Sequence, residues 1–291
     1  MTSIAERPIG SPSPASESAG RELRGFPVTP AIEVEGVSHR FRGRTGDVLA
    51  IEQVDLAVPP GQLLAILGPS GCGKSTLLRA LSGLLEPTAG QVYLAGEAPA
   101  AARVKHGIGW LAQDDGLLPW LNVADNVGLP GRVGSRRAQV RPGAVADLLA
   151  AVGLVDSARR YPHELSGGMR QRAALARALV SEPAFLFLDE PFASLDELTR
   201  ERLGDLLVDV RAAHRPTTLL VTHSVVEAVR LADRVLVMSP RPARVVADVA
   251  IDLPWPRRYD QPGFGTLVQT LKGWLNLDAA EYGASSALLG V

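Results

Sequence analysis

The sequence of 291 residues contains one cysteine, Cys72, so no internal disulfide can form. It also lacks an apolar leader, because Glu6, Arg7 and Pro8 interrupt the start, and a reducing, cytoplasmic setting is expected. Charge excess is missing: 30 Lys+Arg stand against 31 Asp+Glu, a formal net charge of -1, which excludes bulk attraction to nucleic-acid phosphates or anionic lipid. Long hydrophobic runs are missing too. The uncharged stretch 56–73 is broken by Pro59, Pro60, Gly61 and a Gly-Pro-Ser-Gly turn, and falls short of the roughly 20 predominantly apolar residues that span a bilayer. Lysine is almost absent, occurring only at positions 74, 105 and 272 among 30 basic residues, so each lysine is informative.

What is present is 46% apolar residues, enough for one large domain or two small ones. Residues 1–30, rich in Ser, Pro, Gly, Ala and Glu, are expected to be a disordered lead-in. From Ile32 short β-type runs follow at 32–37, 54–58, 63–67 and 91–95, giving this half antiparallel character. Leu77, Leu78, Leu81, Leu84 and Leu85 then take helical spacing up to Pro87. The stretch 123–178 reads as a helical insertion, with Val145, Leu148, Leu149 and Val152 on one face. Strand texture returns at 184–188, 217–222, 234–238 and 245–249, interleaved with a helix carrying Leu203, Leu206, Leu207 and Val210, and this alternation implies a parallel sheet. Ser224 and Glu227 form a capping-box pattern directly after His223. Near the end, Phe264, Leu267, Val268, Leu271, Trp274 and Leu275 share a helical face, expected to pack on the domain in preference to a membrane surface.

Gly68-Pro69-Ser70-Gly71-Cys72-Gly73-Lys74-Ser75, with Thr76 next, satisfies G-x-x-x-x-G-K-[ST] between an apolar strand and a helix. Glycines let backbone N–H groups wrap phosphate oxygens, the helix N-terminus adds positive partial charge, Lys74 reaches the β and γ phosphates, and Ser75 can ligate Mg²⁺. In a chain that otherwise prefers arginine, a lysine at the position needing a compact point charge supports this reading. Cys72 is expected to be a small residue tolerated in the loop, with a reactive thiol as the alternative. Residues 185–188 are apolar and deliver Asp189 and Glu190 to a strand end, where Asp189 would hold Mg²⁺ through water and Glu190 would polarise the attacking water.

Leu165-Ser166-Gly167-Gly168-Met169-Arg170-Gln171-Arg172 resembles the signature motif of ATP-binding cassette (ABC) proteins, and the resemblance extends over about 32–277. It implies an α/β fold: a P-loop NTPase core, a parallel sheet flanked by helices, with an antiparallel β subdomain and a helical subdomain. The implied division is a lead-in at 1–30, an ABC ATPase domain at 31–262 with its helical subdomain about 114–180, and a C-terminal helical tail at 263–291. By position, Phe41 matches the aromatic that stacks on adenine, and Gln113 the glutamine that contacts Mg²⁺ and water and links nucleotide to the membrane partner. Asp196 matches the loop that crosses the dimer interface, and His223 the histidine that contacts the γ-phosphate and holds Glu190. Ser166, Gly167, Gly168 and Gln171 would meet the ATP of a partner subunit.

The signature opens a second helix N-terminus able to bind a γ-phosphate in a chain that already has a phosphate loop. Two copies arranged head to tail resolve that redundancy, with ATP closing the dimer and hydrolysis opening it. Without a long heptad insertion, second cassette or fused membrane domain, the expected architecture is a stand-alone cassette. The segments 117–127, 189–200 and 238–244 resemble the importer branch for nitrate, sulfonate, taurine and bicarbonate, and aminopyrimidine importers look much alike. That resemblance implies integral-membrane permease subunits docked near 120–127, an extracytoplasmic solute-binding protein, no nucleic acid, and a place on the cytoplasmic face of the membrane. The rival expectation is a soluble, non-transport ABC ATPase used as a nucleotide switch.

Overall fold

The computed structural model describes residues 31–44, 46–133 and 140–288, without the side chains of 105–106 and 277–288. The expected lead-in at 1–30 lies outside the described residues. The chain begins with strands β1 (Ile32–Phe41), β2 (Val48–Val58) and β3 (Leu63–Leu67), then helix α1 (Lys74–Leu81), β4 (Ala89–Leu94), α2 (Pro99–His106) and β5 (Ile108–Leu111). Helices α3 (Val123–Val127), α4 (Ala144–Ala151) and α5 (Gly167–Leu179) follow, then β6 (Phe185–Asp189), α6 (Glu197–His214) and β7 (Thr217–Val221). Helix α7 (Val225–Leu231), strands β8 (Arg234–Met238) and β9 (Val245–Ala250), and helix α8 (Phe264–Leu288) complete it.

Two sheets form. β2-β1-β4 is antiparallel, whereas β5-β6-β7-β3-β8 is parallel with β9 added antiparallel at its edge. Every residue of β3, β6 and β7 is buried, as a sheet covered on both faces requires. The two-residue period of a strand decides which face each residue supplies. Leu63, Ala65 and Leu67 pack into a cluster with α5, α7 and α8, while Leu64 and Ile66 pack into a second one against the antiparallel sheet.

The expected α/β class and parallel core are observed, with local departures. α1 ends at Leu81 and not at Leu85, because Gly83 takes φ +72° and the N–H groups of Leu84 and Leu85 turn back to Arg79 O. Leu84 is consequently exposed. Strand β5 and helix α2 escaped the sequence reading; β5 is four residues long and contains Gly109, too short to show a period. The glycine is required, since a Cβ there would stand 2.3 Å from Ala178 O of α5. The C-terminal stripe packs on the domain: Phe264, Val268 and Leu271 are buried in the α5/α7 cluster with Leu267 and Leu275 beside them, and Trp274 alone of the six is exposed. The buried Arg257 anchors the approach to α8, donating to the carbonyls of Val229 (3.0 Å), Ile251 (3.0 Å), Leu253 (3.2 Å) and Ala232. Among the described residues no helix is long and apolar enough to cross a membrane.

Candidate functional site

The parallel strands bring their C-terminal ends to one edge of the sheet, where α/β folds place ligands. Pairing fixes the alignment: Ile66 lies opposite Val221, and Val221 opposite Asp189. The next residues therefore leave the sheet together, with Thr222 N donating to Ile66 O at 3.2 Å and Glu190 N to Val221 O at 2.9 Å. The phosphate loop, the two carboxylates and His223 meet because their strands are neighbours.

The loop 68–75 is held open from behind. Lys74 is buried and its Nζ donates to the carbonyls of Gly68 (2.9 Å) and Pro69 (2.8 Å), drawing the loop around its own ammonium. Gly73, at φ +131°, touches the antiparallel sheet so closely that a Cβ would lie 2.8 Å from Ala50 O. A cavity of about 350 Å³ opens over this loop, lined by Ser70, Gly71, Gly73, Lys74, Ser75 and Thr76 together with Gln113, Glu190, His223 and Arg241. Pro69 and Gly68 sit behind that lining as the acceptors of Lys74. Cys72 is buried, and burial pushes its thiol above the ordinary range, which fits packing and not the reactive alternative.

Asp189 is fully buried. Its Oδ1 accepts from Ser75 Oγ at 2.9 Å, whereas Oδ2 is buried with no hydrogen-bond partner among the described residues. Burial raises its carboxyl above the usual range, opposed by the Ser75 hydroxyl and reinforced by Glu190. An orphaned carboxylate oxygen beside a serine hydroxyl at the mouth of a phosphate loop fits a hard divalent cation. Glu190 takes a left-handed backbone, φ +50°, so two successive carboxylates diverge: Asp189 turns to Ser75, and Glu190 lines the cavity. His223 Nδ1 lies 3.1 Å from Glu190 Oε2, with the imidazole exposed and the carboxylate largely covered.

Other predicted residues lie outside this lining. Ser166 caps α5, accepting from Met169 N at 3.3 Å, and Ser166 and Gly167 are exposed. Gly168 packs on the loop before α6, where a Cβ would meet Leu195 Cδ2 at 3.3 Å. Gln171 differs from its neighbours in the motif: it is buried one turn on, its Nε2 3.5 Å from Glu190 O, and faces this chain's own machinery. Asp196 is exposed and caps α6 through Thr199 N at 2.9 Å, and that backbone N–H holds its carboxyl below the usual range. Phe41 stands half-exposed at the end of β1, its ring edge-on to His39 at 4.5 Å.

Gln113 begins a loop tied to the signature helix: Arg177 of α5 donates to the carbonyls of Asp115 (2.7 Å) and Gly116 (2.8 Å), and Arg170 pairs with the Asp115 carboxylate at 2.9 Å. Further along, the fully buried Asn126 donates to the carbonyls of Leu118, Leu121 and Asn122 and accepts from Leu118 N at 2.7 Å. This one amide fixes the turn that leaves Trp120 70% exposed. Sequence reasoning missed Arg241 as a cavity residue: its Nη2 donates to Gly71 O at 2.8 Å. The signal was a motif-like stretch at 238–244, but only the tertiary fold places it beside the phosphate loop, through Ala243 N to Ala50 O at 3.0 Å.

A family profile described as ABC transporter matches residues 51–193. An aliphatic sulfonates import ATP-binding protein, SsuB 1 of Mesorhizobium japonicum, is 45% identical over 80% of this chain and 86% of its own length. The taurine import ATP-binding protein TauB of Burkholderia pseudomallei is 44% identical over 77% of this chain and 84% of its own. SsuB 2 of Rhodococcus jostii is 45% identical over 86% and 95%. Among solved structures, the dimeric post-hydrolysis state of the ATP-binding cassette MJ0796 bound to ADP and Pi superposes with a TM-score of 0.69 at 28% identity, over 77% of this chain and all of that one. With relatives 45% identical over 80–86% of its length, the same fold as a solved cassette, and a phosphate loop facing Asp189, Glu190 and His223, the chain belongs to the ABC transporter family and is one of its ATP-binding, ATP-hydrolysing cassettes.

Proposed function

We propose that this cassette powers import of a small organosulfonate, an aliphatic sulfonate or taurine, through a separate membrane permease. Residues 31–262 form the cassette, 114–180 its helical portion, and 263–291 the tail. The observation that carries the mechanism is the division of phosphate-binding elements: Lys74, Ser75, Glu190 and His223 share one cavity, while the capped N-terminus at Ser166, Gly167 and Gly168 is absent from its lining. Two copies in head-to-tail symmetry supply each ATP with the loop of one and the signature of the other. The dimeric relative of the same fold supports that arrangement. Phe41 receives the adenine, and Asp196 lies at the junction of the two copies. Gln171 acts from beneath, through Glu190.

Ser75, Asp189 and Gln113 would hold Mg²⁺, which would supply charge neutralisation on the phosphate oxygens. Lys74 and the loop N–H groups orient the triphosphate, Glu190 accepts the proton of the attacking water, and His223 holds Glu190 while facing the γ-phosphate. The exposed Trp120 and the turn that Asn126 fixes offer the permease a surface one loop away from Gln113. The cassette works at the cytoplasmic face of the membrane, and an extracytoplasmic solute-binding protein selects the cargo. The alternative of a soluble switch has no use for that docking turn. The test is a gene deletion in the host with labelled uptake of taurine, alkanesulfonates and nitrate. Loss of sulfonate uptake, restored by wild type and not by Glu190→Gln, is the expected result; unchanged uptake of all three overturns the proposal.

A further inference from the structure

The loop carrying Asp196 and the strand end carrying His223 belong to different elements, yet one carboxylate is linked to both, directly to Thr222 and through Arg200 of α6 to Leu195. The capping box expected at the start of α7 is only half formed: Ser224 Oγ accepts from Glu227 N at 3.3 Å, but Ser224 N donates to Thr222 Oγ1 at 3.0 Å and not to Glu227. The Glu227 carboxylate turns instead to two other groups. Its Oε2 accepts from Thr222 Oγ1 at 2.6 Å, and its Oε1 faces Arg200 Nε at 3.4 Å. Arg200, in the first turns of α6, reaches back with Nη2 to Leu195 O at 2.9 Å. At the other end, Thr222 immediately precedes His223, whose ring contacts Glu190. Polar contacts join Leu195, Arg200, Glu227 and Thr222, the peptide bond carries the link on to His223, and His223 contacts Glu190.

Burial fixes the middle of this linkage at Glu227 and Thr222, while Arg200 and His223 at its ends are partly exposed. The Glu227 side chain is 14% exposed, and burial raises its carboxyl above the ordinary range while Thr222 and Arg200 pull it back. A mostly buried carboxylate that loses its cation is costly, so movement of the Leu195 carbonyl, which Arg200 follows, acts on Glu227 and through it on the residue before His223. Leu195 also lies under Gly168, so the signature helix bears on the same loop.

We propose that Glu227 and Arg200 are positioning residues for hydrolysis, fixing the strand end that carries His223 to the loop that carries Asp196, so that seating this loop against a second cassette sets the His223–Glu190 contact. The inference rests on the proposed head-to-tail ATPase. Neither residue lines the cavity over the phosphate loop, so their loss should act on turnover and leave ATP affinity in place.

The experiment is steady-state Mg-ATP hydrolysis by the full chain as wild type, Glu190→Gln, Glu227→Gln, Arg200→Met, Arg200→Lys and the Glu227→Gln/Arg200→Met double variant. Gln at 227 keeps an acceptor for Thr222 and removes only the charge. Glu227→Gln and Arg200→Met are each expected to lower kcat by about tenfold with KM for ATP within about twofold, and their double variant to be no slower than the slower of the two. Arg200→Lys should recover part of the rate. Singles within about twofold of wild type, a double variant at the product of the single losses, or a loss carried by KM would each overturn the inference. Should Glu227→Gln fail to fold by thermal melting, the Arg200 pair decides: equal rates for Met and Lys overturn it, and a faster Lys variant supports it. Wild type without Glu190-dependent turnover refutes the ATPase mechanism itself, a separate outcome.

Discussion

Asp189→Asn should make the empty protein more stable and the enzyme inactive. The carboxylate is fully buried, one oxygen is satisfied by Ser75 at 2.9 Å, and the other has no partner among the described residues. Asn keeps an acceptor for Ser75 and removes the charge, so the gain is a fraction of the roughly 1–3 kcal/mol, more for a charge, that an unsatisfied buried group costs. With about 1–2 kcal/mol recovered, the melting temperature without nucleotide should rise by about 2–6 °C. The pH dependence fixes the sign. Burial raises the folded-state pKa of Asp189 above its unfolded value, so its contribution is fully present below the unfolded pKa and is lost as pH rises through the folded one. The advantage of Asn should therefore vanish near pH 4 and grow toward pH 7. The assay is differential scanning fluorimetry in EDTA across that range, beside Mg-ATP hydrolysis, which should fall by at least about a hundredfold. An Asn variant that melts lower than wild type at pH 7 without metal, or that retains turnover within about threefold, would refute the reasoning.

Arg241→Ala should raise KM for ATP by about tenfold with a smaller change in kcat, since it removes a cation and a charged hydrogen bond from the loop rim; an unchanged KM in a steady-state titration would show that Arg241 serves only to tether its own loop. Arg257→Met should lower stability by about 3–5 kcal/mol, read as a lower urea midpoint at unchanged slope, by leaving four carbonyls without their donor. Burial lowers the Arg257 guanidinium to about 10, still well above neutrality, so that loss should be flat between about pH 6 and pH 8; a loss that changes across that window would contradict a charged Arg257. Trp120→Glu should leave hydrolysis by the isolated cassette unchanged and abolish uptake in cells, because the side chain is 70% exposed on a turn built by Asn126; normal uptake would move the docking surface elsewhere.

Much of the chemistry was written locally in the chain. The phosphate loop is contiguous because one turn must wrap one phosphate chain, and Asp189 and Glu190 are adjacent because one strand delivers both. Buried strands announced themselves as apolar runs, which is why β3, β6, β7 and β8 were legible, whereas β5 was not: four residues with a glycine carry no period, and their strand character comes from pairing with β6. The capping-box pattern at Ser224 and Glu227 marks a helix start, and the helix forms there, but the Glu227 carboxylate does not close back on Ser224 N. Propensity signals a cap, but Thr222 and Arg200 compete for the carboxylate, and neither competitor is visible from the spacing alone.

By itself the sequence determined which groups are chemically competent: a lysine in an arginine-using chain, two acids after an apolar strand, a histidine before a helix start, and a second helix start at Ser166, for which we propose the phosphate of a second copy. Only the tertiary structure decided their company. Parallel pairing of β3, β6 and β7 sets Ser75 against Asp189 and His223 against Glu190; packing of the 239–244 loop on β2 brings Arg241 to the rim; burial turns Gln171 inward and leaves Ser166 outside. The physical reason is range. A loop, a cap or a strand end is settled by neighbours within a few residues, whereas a site shared by strands more than a hundred residues apart exists only after the sheet has chosen its order.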